Sequence, residues 1–141
     1  LREWFDNLRD AGLALENYLG AGFIANGTAA ITNNQSSPAN VTGLTFDATT
    51  VTSAFIDVEI YRNTTGAGAT ELKETRTFHA AWKPVAGEWL LADIGGGGDD
   101  AGVIISPSTA GTVFQAQYAS TNITGTAEAS QIKFKVRTFA A

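Results

Sequence analysis

The sequence predicts a mainly β protein, in which an N-terminal amphipathic helix precedes an antiparallel, jelly-roll-like β-sandwich of about seven to nine strands. Three observations predict it. Apolar residues recur at three- and four-residue spacing only as far as Tyr18, the apolar period after Gly27 is two, and clusters of Gly, Asn, Thr and Ser cut the later chain into short segments.

The helix is read over Arg2 to Leu19, with good helix formers throughout, Glu3 and Asp6 near its start and Gly20 at a left-handed stop position. Leu1, Trp4, Leu8, Ala11, Leu15 and Tyr18 form one seam, widened by Phe5, Gly12 and Leu19. The seam serves two arrangements: an oligomeric stalk in which identical helices wind together, or a helix packed on its own β body. Residues 1–22 are accordingly set apart as an oligomerisation or attachment element, and 23–141 as the head. Gly20-Ala21-Gly22-Phe23-Ile24-Ala25 matches a dinucleotide-binding glycine pattern, but that pattern needs a strand before it and a helix after it. Here the order is reversed, so the glycines read as a hinge. The sequence starts without methionine, and the helix is expected to continue upstream of Leu1.

From Asn26 to Thr52, short apolar groups at Ala30-Ile31, Val41 and Leu44 to Phe46 alternate with turn residues. Ala54 to Arg62 then sets Ile56, Val58 and Ile60 against Asp57, Glu59 and Tyr61, the alternation of a half-buried strand. Gly66-Ala67-Gly68 reads as a hairpin loop, Leu72 to Trp82 as the next strand, Pro84 to Gly87 as a turn and Glu88 to Ile94 as a further strand. Gly95 to Gly98 is expected to be a loop dividing two groups of strands. Gly102 to Ser106, Thr112 to Tyr118 and Gln131 to Phe139 complete the set. The last carries Lys133, Lys135 and Arg137 on one face, a feature expected of a protected sheet edge.

Charged residues make up 16% of the chain, below the roughly 25% of typical domains, and the formal net charge is -5. Such a chain does not attract phosphate backbones, so nucleic acid is excluded as a partner. No run of eighteen apolar residues is present, and Leu1 to Gly20 is too charged for a signal-peptide core, so no membrane insertion is expected. The absence of cysteine removes disulfides and thiolate metal sites.

Little catalytic chemistry is legible. His79 is the only histidine, and no nucleophile-elbow pattern surrounds any serine. Asp57 and Glu59 share a strand face about 7 Å apart, within the range of inverting glycosidases, but any such pair on a strand meets that test. Gly95 to Asp100 imitates the opening of a calcium-binding nonapeptide, making Asp93, Asp99 and Asp100 weak metal candidates; Gly102 stands where that motif needs a large apolar residue. Tyr61, Trp82, Trp89 and Tyr118 are candidates for a glycan-stacking platform or for the core. Asn-x-Ser/Thr triplets begin at Asn26, Asn34, Asn40, Asn63 and Asn122; they are glycan acceptors in a eukaryotic secreted protein and ordinary composition in an Asn- and Thr-rich β chain. The expectation is a chain with no catalytic residues, no cofactor and no resident metal.

Several blocks resemble modules of tailed-bacteriophage virion proteins. They are Asn33-Asn34-Gln35-Ser36-Ser37-Pro38-Ala39-Asn40-Val41-Thr42-Gly43-Leu44, then Ile60-Tyr61-Arg62, Gly98-Asp99-Asp100-Ala101-Gly102-Val103, Gln115 to Ser120, and Gln131 to Thr138. The resemblance implies a β-rich tail-fibre, tail-tip or capsid-attached structural module of the virion, commonly a homotrimer. Its expected partners are its own copies, other virion proteins and a host-surface glycan. The alternatives are a carbohydrate-binding module using Tyr61, Trp82 or Trp89, a capsid-decoration or head-fibre protein, and a glycosidase domain built on Asp57 and Glu59.

Overall fold

The computed structural model describes the backbone of residues 1–18 and 23–141, and the side chains of 1–11, 26–126 and 128–141. Helix α1 spans Arg2–Tyr18. Eight strands follow: β1 (Phe23–Ala30), β2 (Ala39–Asp47), β3 (Val51–Thr65), β4 (Glu71–Lys83), β5 (Glu88–Gly98), β6 (Val103–Ala110), β7 (Val113–Ser120) and β8 (Thr126–Ala140). The hinge expected at Gly20 to Gly22 lies outside the described residues, as do the side chains of Leu15 and Tyr18. No helix among the described residues is long and apolar enough to cross a membrane.

The strands form two antiparallel sheets, one in the order β1-β8-β3-β4-β5 and the other β2-β7-β6. The pairing nests as in a jelly roll, β1 against β8 in one sheet and β2 against β7 in the other. The middle of the chain departs from that scheme, because β3, β4 and β5 continue as a meander in the larger sheet. Period-two alternation supplies the core. Ala54, Ile56, Val58 and Ile60 of β3 and Ile132, Phe134 and Val136 of β8 face Phe114, Ala116 and Tyr118 of β7. Trp89 closes the layer, its ring 5.0 Å from Phe46 and its Nε1 donating to the Thr112 carbonyl at 2.9 Å.

Two expectations are corrected. Gly95 to Gly98 belong to β5 and pair with Thr77 to Glu74 of β4. Their lack of side chains permits the pairing: a Cβ on Gly96 would stand 2.0 Å from the Thr75 carbonyl oxygen, and one on Gly98 2.4 Å from that of Lys73. The change of sheet follows one step later, between Gly98 and Val103. Second, the strand carrying Lys133, Lys135 and Arg137 is not an edge, since β8 lies between β1 and β3. Its cations occupy the outer sheet face, with Lys133 opposite Glu59 and Lys135 opposite Asp57. Opposite charges thus face each other across the ladder without forming ion pairs, and edge protection does not account for the cations.

Because every connection reverses direction, the loops sort to two ends. The turns 48–50, 84–87 and 111–112 share an end with the start of β1, while 31–38, 66–70, 99–102 and 121–125 gather at the other, the length of β3 away. Those 15 residues amount to roughly 45 Å.

Candidate functional site

Three surfaces merit description. The first is the exposed part of α1. Leu1, Trp4, Phe5 and Leu8 are 92%, 58%, 55% and 59% exposed, and Ala11 is exposed as well. The described part of the seam is therefore in water and not packed on the sandwich. An apolar face of this size is unusual for a surface with no partner.

The second surface is the distal loop cluster. Arg62 continues the inward alternation of Ile56, Val58 and Ile60, and its side chain is fully buried. Its Nη1 donates to the Ala101 carbonyl at 2.9 Å, and its Nη2 to the Thr121 carbonyl at 2.8 Å and to Asn33 Oδ1 at 2.9 Å, with Glu128 Oε1 at 3.2 Å. One guanidinium thereby ties three loops to the end of β3. Buried Glu74 extends the network, accepting from the Ala101 amide at 3.0 Å and from Arg76 Nη1 at 3.0 Å. Sequence reasoning missed both residues, although carrying the alternation two positions past Ile60 points to Arg62.

The third surface is the outer face of the five-stranded sheet. A cleft of about 680 Å³ crosses all five strands there. Its floor is the backbone of Gly27, Phe134, Val58, Arg76 and Gly96. Lys135, Asp57 and Thr77 rise on one side of that line, and Lys133, Glu59 and Thr75 on the other. The Thr77 hydroxyl donates to Asp57 Oδ1 at 2.8 Å, and Lys73 Nζ lies 3.6 Å from Glu59. Asp57 and Glu59 are the only acids among the cleft's described lining residues, so the opposing acid that a glycosidase reading asks for does not line it. Beside the cleft, His79 stacks on Phe55 at 4.7 Å, and the Arg137 guanidinium sits 5.3 Å above the Phe55 ring.

The remaining sequence candidates do not converge. Tyr61 lies on the outer face, its hydroxyl donating to Glu71 at 2.9 Å, an arrangement that raises its pKa. Trp89 is 3% exposed within the core, which leaves it no ring face for a sugar, and Trp82 is half-buried against it. Tyr118 is also core; its hydroxyl accepts from the Thr32 amide at 2.9 Å. Asp93 is bound by Arg76, whose Nε donates at 2.9 Å; this hydrogen bond chiefly holds the Asp93 carboxyl below its ordinary pKa. Asp99 accepts from the Lys73 amide at 3.0 Å and Asp100 from that of Gly102 at 2.9 Å. Among the described residues, no three His, Cys, Asp or Glu side chains are grouped to hold a metal ion.

Fold and surfaces together define a two-sheet antiparallel sandwich preceded by an N-terminal helix whose described apolar residues, Leu1 to Ala11, lie in water. No family model and no curated protein matches the chain. Among solved structures it is loosely similar to the tailspike protein of Acinetobacter phage vB_ApiP_P1, at 11% identity and a TM-score of 0.39, over 86% of this chain and 21% of that one. It is also similar to the tailspike protein of Acinetobacter baumannii phage AM24, at 7% identity and a TM-score of 0.34, over 82% and 27% of the two chains. The chain thus spans about a fifth and about a quarter of those proteins' lengths. Overlaps this loose describe neighbouring shapes and define no shared site.

Proposed function

We propose that this chain is a non-enzymatic structural module of a bacteriophage virion, a tail-fibre or tail-associated element that assembles as a homotrimer. Residues 1–22 join the copies, other virion proteins hold the assembly, and the head at 23–141 faces outward to the host surface. The observation that carries the reading is the seam of Leu1, Trp4 and Leu8, left in water with Phe5 beside it. Three copies of this seam around one axis remove large side chains from water, at about 1.5–3 kcal/mol for each that becomes fully buried. The virion setting and the number three rest on the resemblance of the strand and turn blocks. An assembly stabilised in this way needs no disulfide, which suits a chain without cysteine.

Light scattering on the purified protein tests the reading. The expected mass is three times the protomer's 14.8 kDa, falling to that of one protomer in the double variant Trp4→Asp/Leu8→Asp. A single-protomer mass for the unaltered chain at micromolar concentration would refute it.

A further inference from the structure

The geometry points to the cleft across the five-stranded sheet as a binding site for a linear, uncharged polysaccharide. This deepens the display role by naming what the head contacts. It rests on that role for where the polymer is met, not for whether the cleft binds it.

The shape argues for a linear chain. The cleft is a trough running across the strands, between two ridges of side chains two residues apart, or about 7 Å. Four strand spacings make it about 19 Å long. The β5 end is open because of glycine: Gly95, opposite Thr77, presents no side chain there, while Asn26 and Thr28 line the β1 end with amide and hydroxyl groups. A Cβ on Gly95 would have nothing within 4 Å. Glycine in a strand marks places where another backbone or a ligand comes close, and the unusual run in β5 thereby acquires a use beyond its pairing with β4.

The chemistry argues for hydroxyls. Asp57 and Glu59 only accept hydrogen bonds, Lys133 and Lys135 only donate, and Thr75, Thr77 and Thr28 do both. Each sugar hydroxyl also donates and accepts, so each finds a complement on either ridge. Both lysines are exposed, and among the described residues neither has a carboxylate within ion-pair distance, which leaves their protons available. The lining charges taken with their ion-pair partners, Asp57, Glu59, Glu74 and Asp93 against Lys73, Arg76, Lys133 and Lys135, sum to zero, so the trough offers no net attraction to a polyanion. An extended peptide would instead add along a sheet edge, parallel to the strands, and the trough runs across them.

The test is an array of immobilised neutral hexasaccharides, comprising gluco-, manno-, galacto- and N-acetylglucosamine-based chains, probed with the full chain and followed by calorimetry on any hit. At least one should bind, and Glu59→Gln/Lys133→Ala and Thr75→Val/Thr77→Val should each weaken it tenfold or more. Gln117→Ala, on the outer face of the other sheet, should leave it unchanged. Circular dichroism confirms that the variants fold. Binding to none of the array, equal binding by the trough variants, or capture only of acidic polymers that is lost at high salt would each overturn the proposal. The seam variant Trp4→Asp/Leu8→Asp should retain binding in calorimetry as a monomer, which separates this result from the fate of the trimer.

Discussion

Replacing Arg62 by Met should be the most damaging single change in the distal loops. The substitution keeps an unbranched apolar stem and removes donors to the Ala101 and Thr121 carbonyls, Asn33 Oδ1 and the Glu128 carboxylate. Nη2 has two hydrogens for three acceptors, and Glu128 is the most distant of them, so its interaction with Arg62 is largely Coulombic. Its side chain is only 16% exposed, so it would be left charged and poorly hydrated. Removing one partner of a buried pair costs about 3–5 kcal/mol, and each orphaned buried acceptor about 1–3 kcal/mol, values that overlap and do not add. The expected loss is about 4 kcal/mol against a typical total of roughly 5–15. For a chain of this length, that lowers the melting temperature by roughly 10 °C or more. Urea unfolding at neutral pH reads the energy, and amide exchange at 99–102 and 121–125 reads the loosening of the loops. Glu128→Gln alone should cost far less, and in Arg62→Met/Glu128→Gln the combined cost should fall short of the sum of the two single costs. A loss below about 1 kcal/mol for Arg62→Met would refute the idea that this guanidinium organises the distal end.

Two further outcomes concern β5. Gly96→Ala should destabilise the protein measurably in thermal unfolding, because the new Cβ would meet the Thr75 carbonyl oxygen and the β4 backbone cannot yield cheaply. Gly97→Ala, with nothing within 4 Å and no left-handed backbone to strain, should be neutral or stabilise by about 0.4–1 kcal/mol. Stability should also have an acid limb set partly by Asp93. Its folded pKa is depressed below 3.8 by Arg76, so its contribution is present above that value and is lost as pH falls through the folded pKa. Asp93→Asn should flatten the pH dependence of urea midpoints below about pH 4, and added salt should shrink the difference because the pair is partly exposed.

Much of the architecture was legible because periodicity records burial directly. The alternation at Ile56, Val58 and Ile60 and at Ile132, Phe134 and Val136 placed those residues on inner faces, and the structure keeps them there. Turn chemistry at Gly66 to Gly68 and Pro84 to Gly87 likewise placed the hairpins. Glycine in β5 misled, since propensity speaks only of the isolated backbone. Close approach by β4 both requires the missing side chains and supplies the hydrogen bonds that order the segment.

By itself the sequence determined the class of the protein: an amphipathic helix, a strand-rich body, a chemistry of amides and hydroxyls, and an apolar seam. Only the tertiary structure decided which strands are neighbours, and neighbours make the sites. Lys133 and Lys135 cease to be edge guards and Trp89 ceases to be a sugar platform, while Arg62 becomes the tie of the distal loops. The physical reason is that pattern along a chain reports which face a residue occupies, whereas the partner across a ladder is set by pairing between segments as far apart as Phe23 and Arg137.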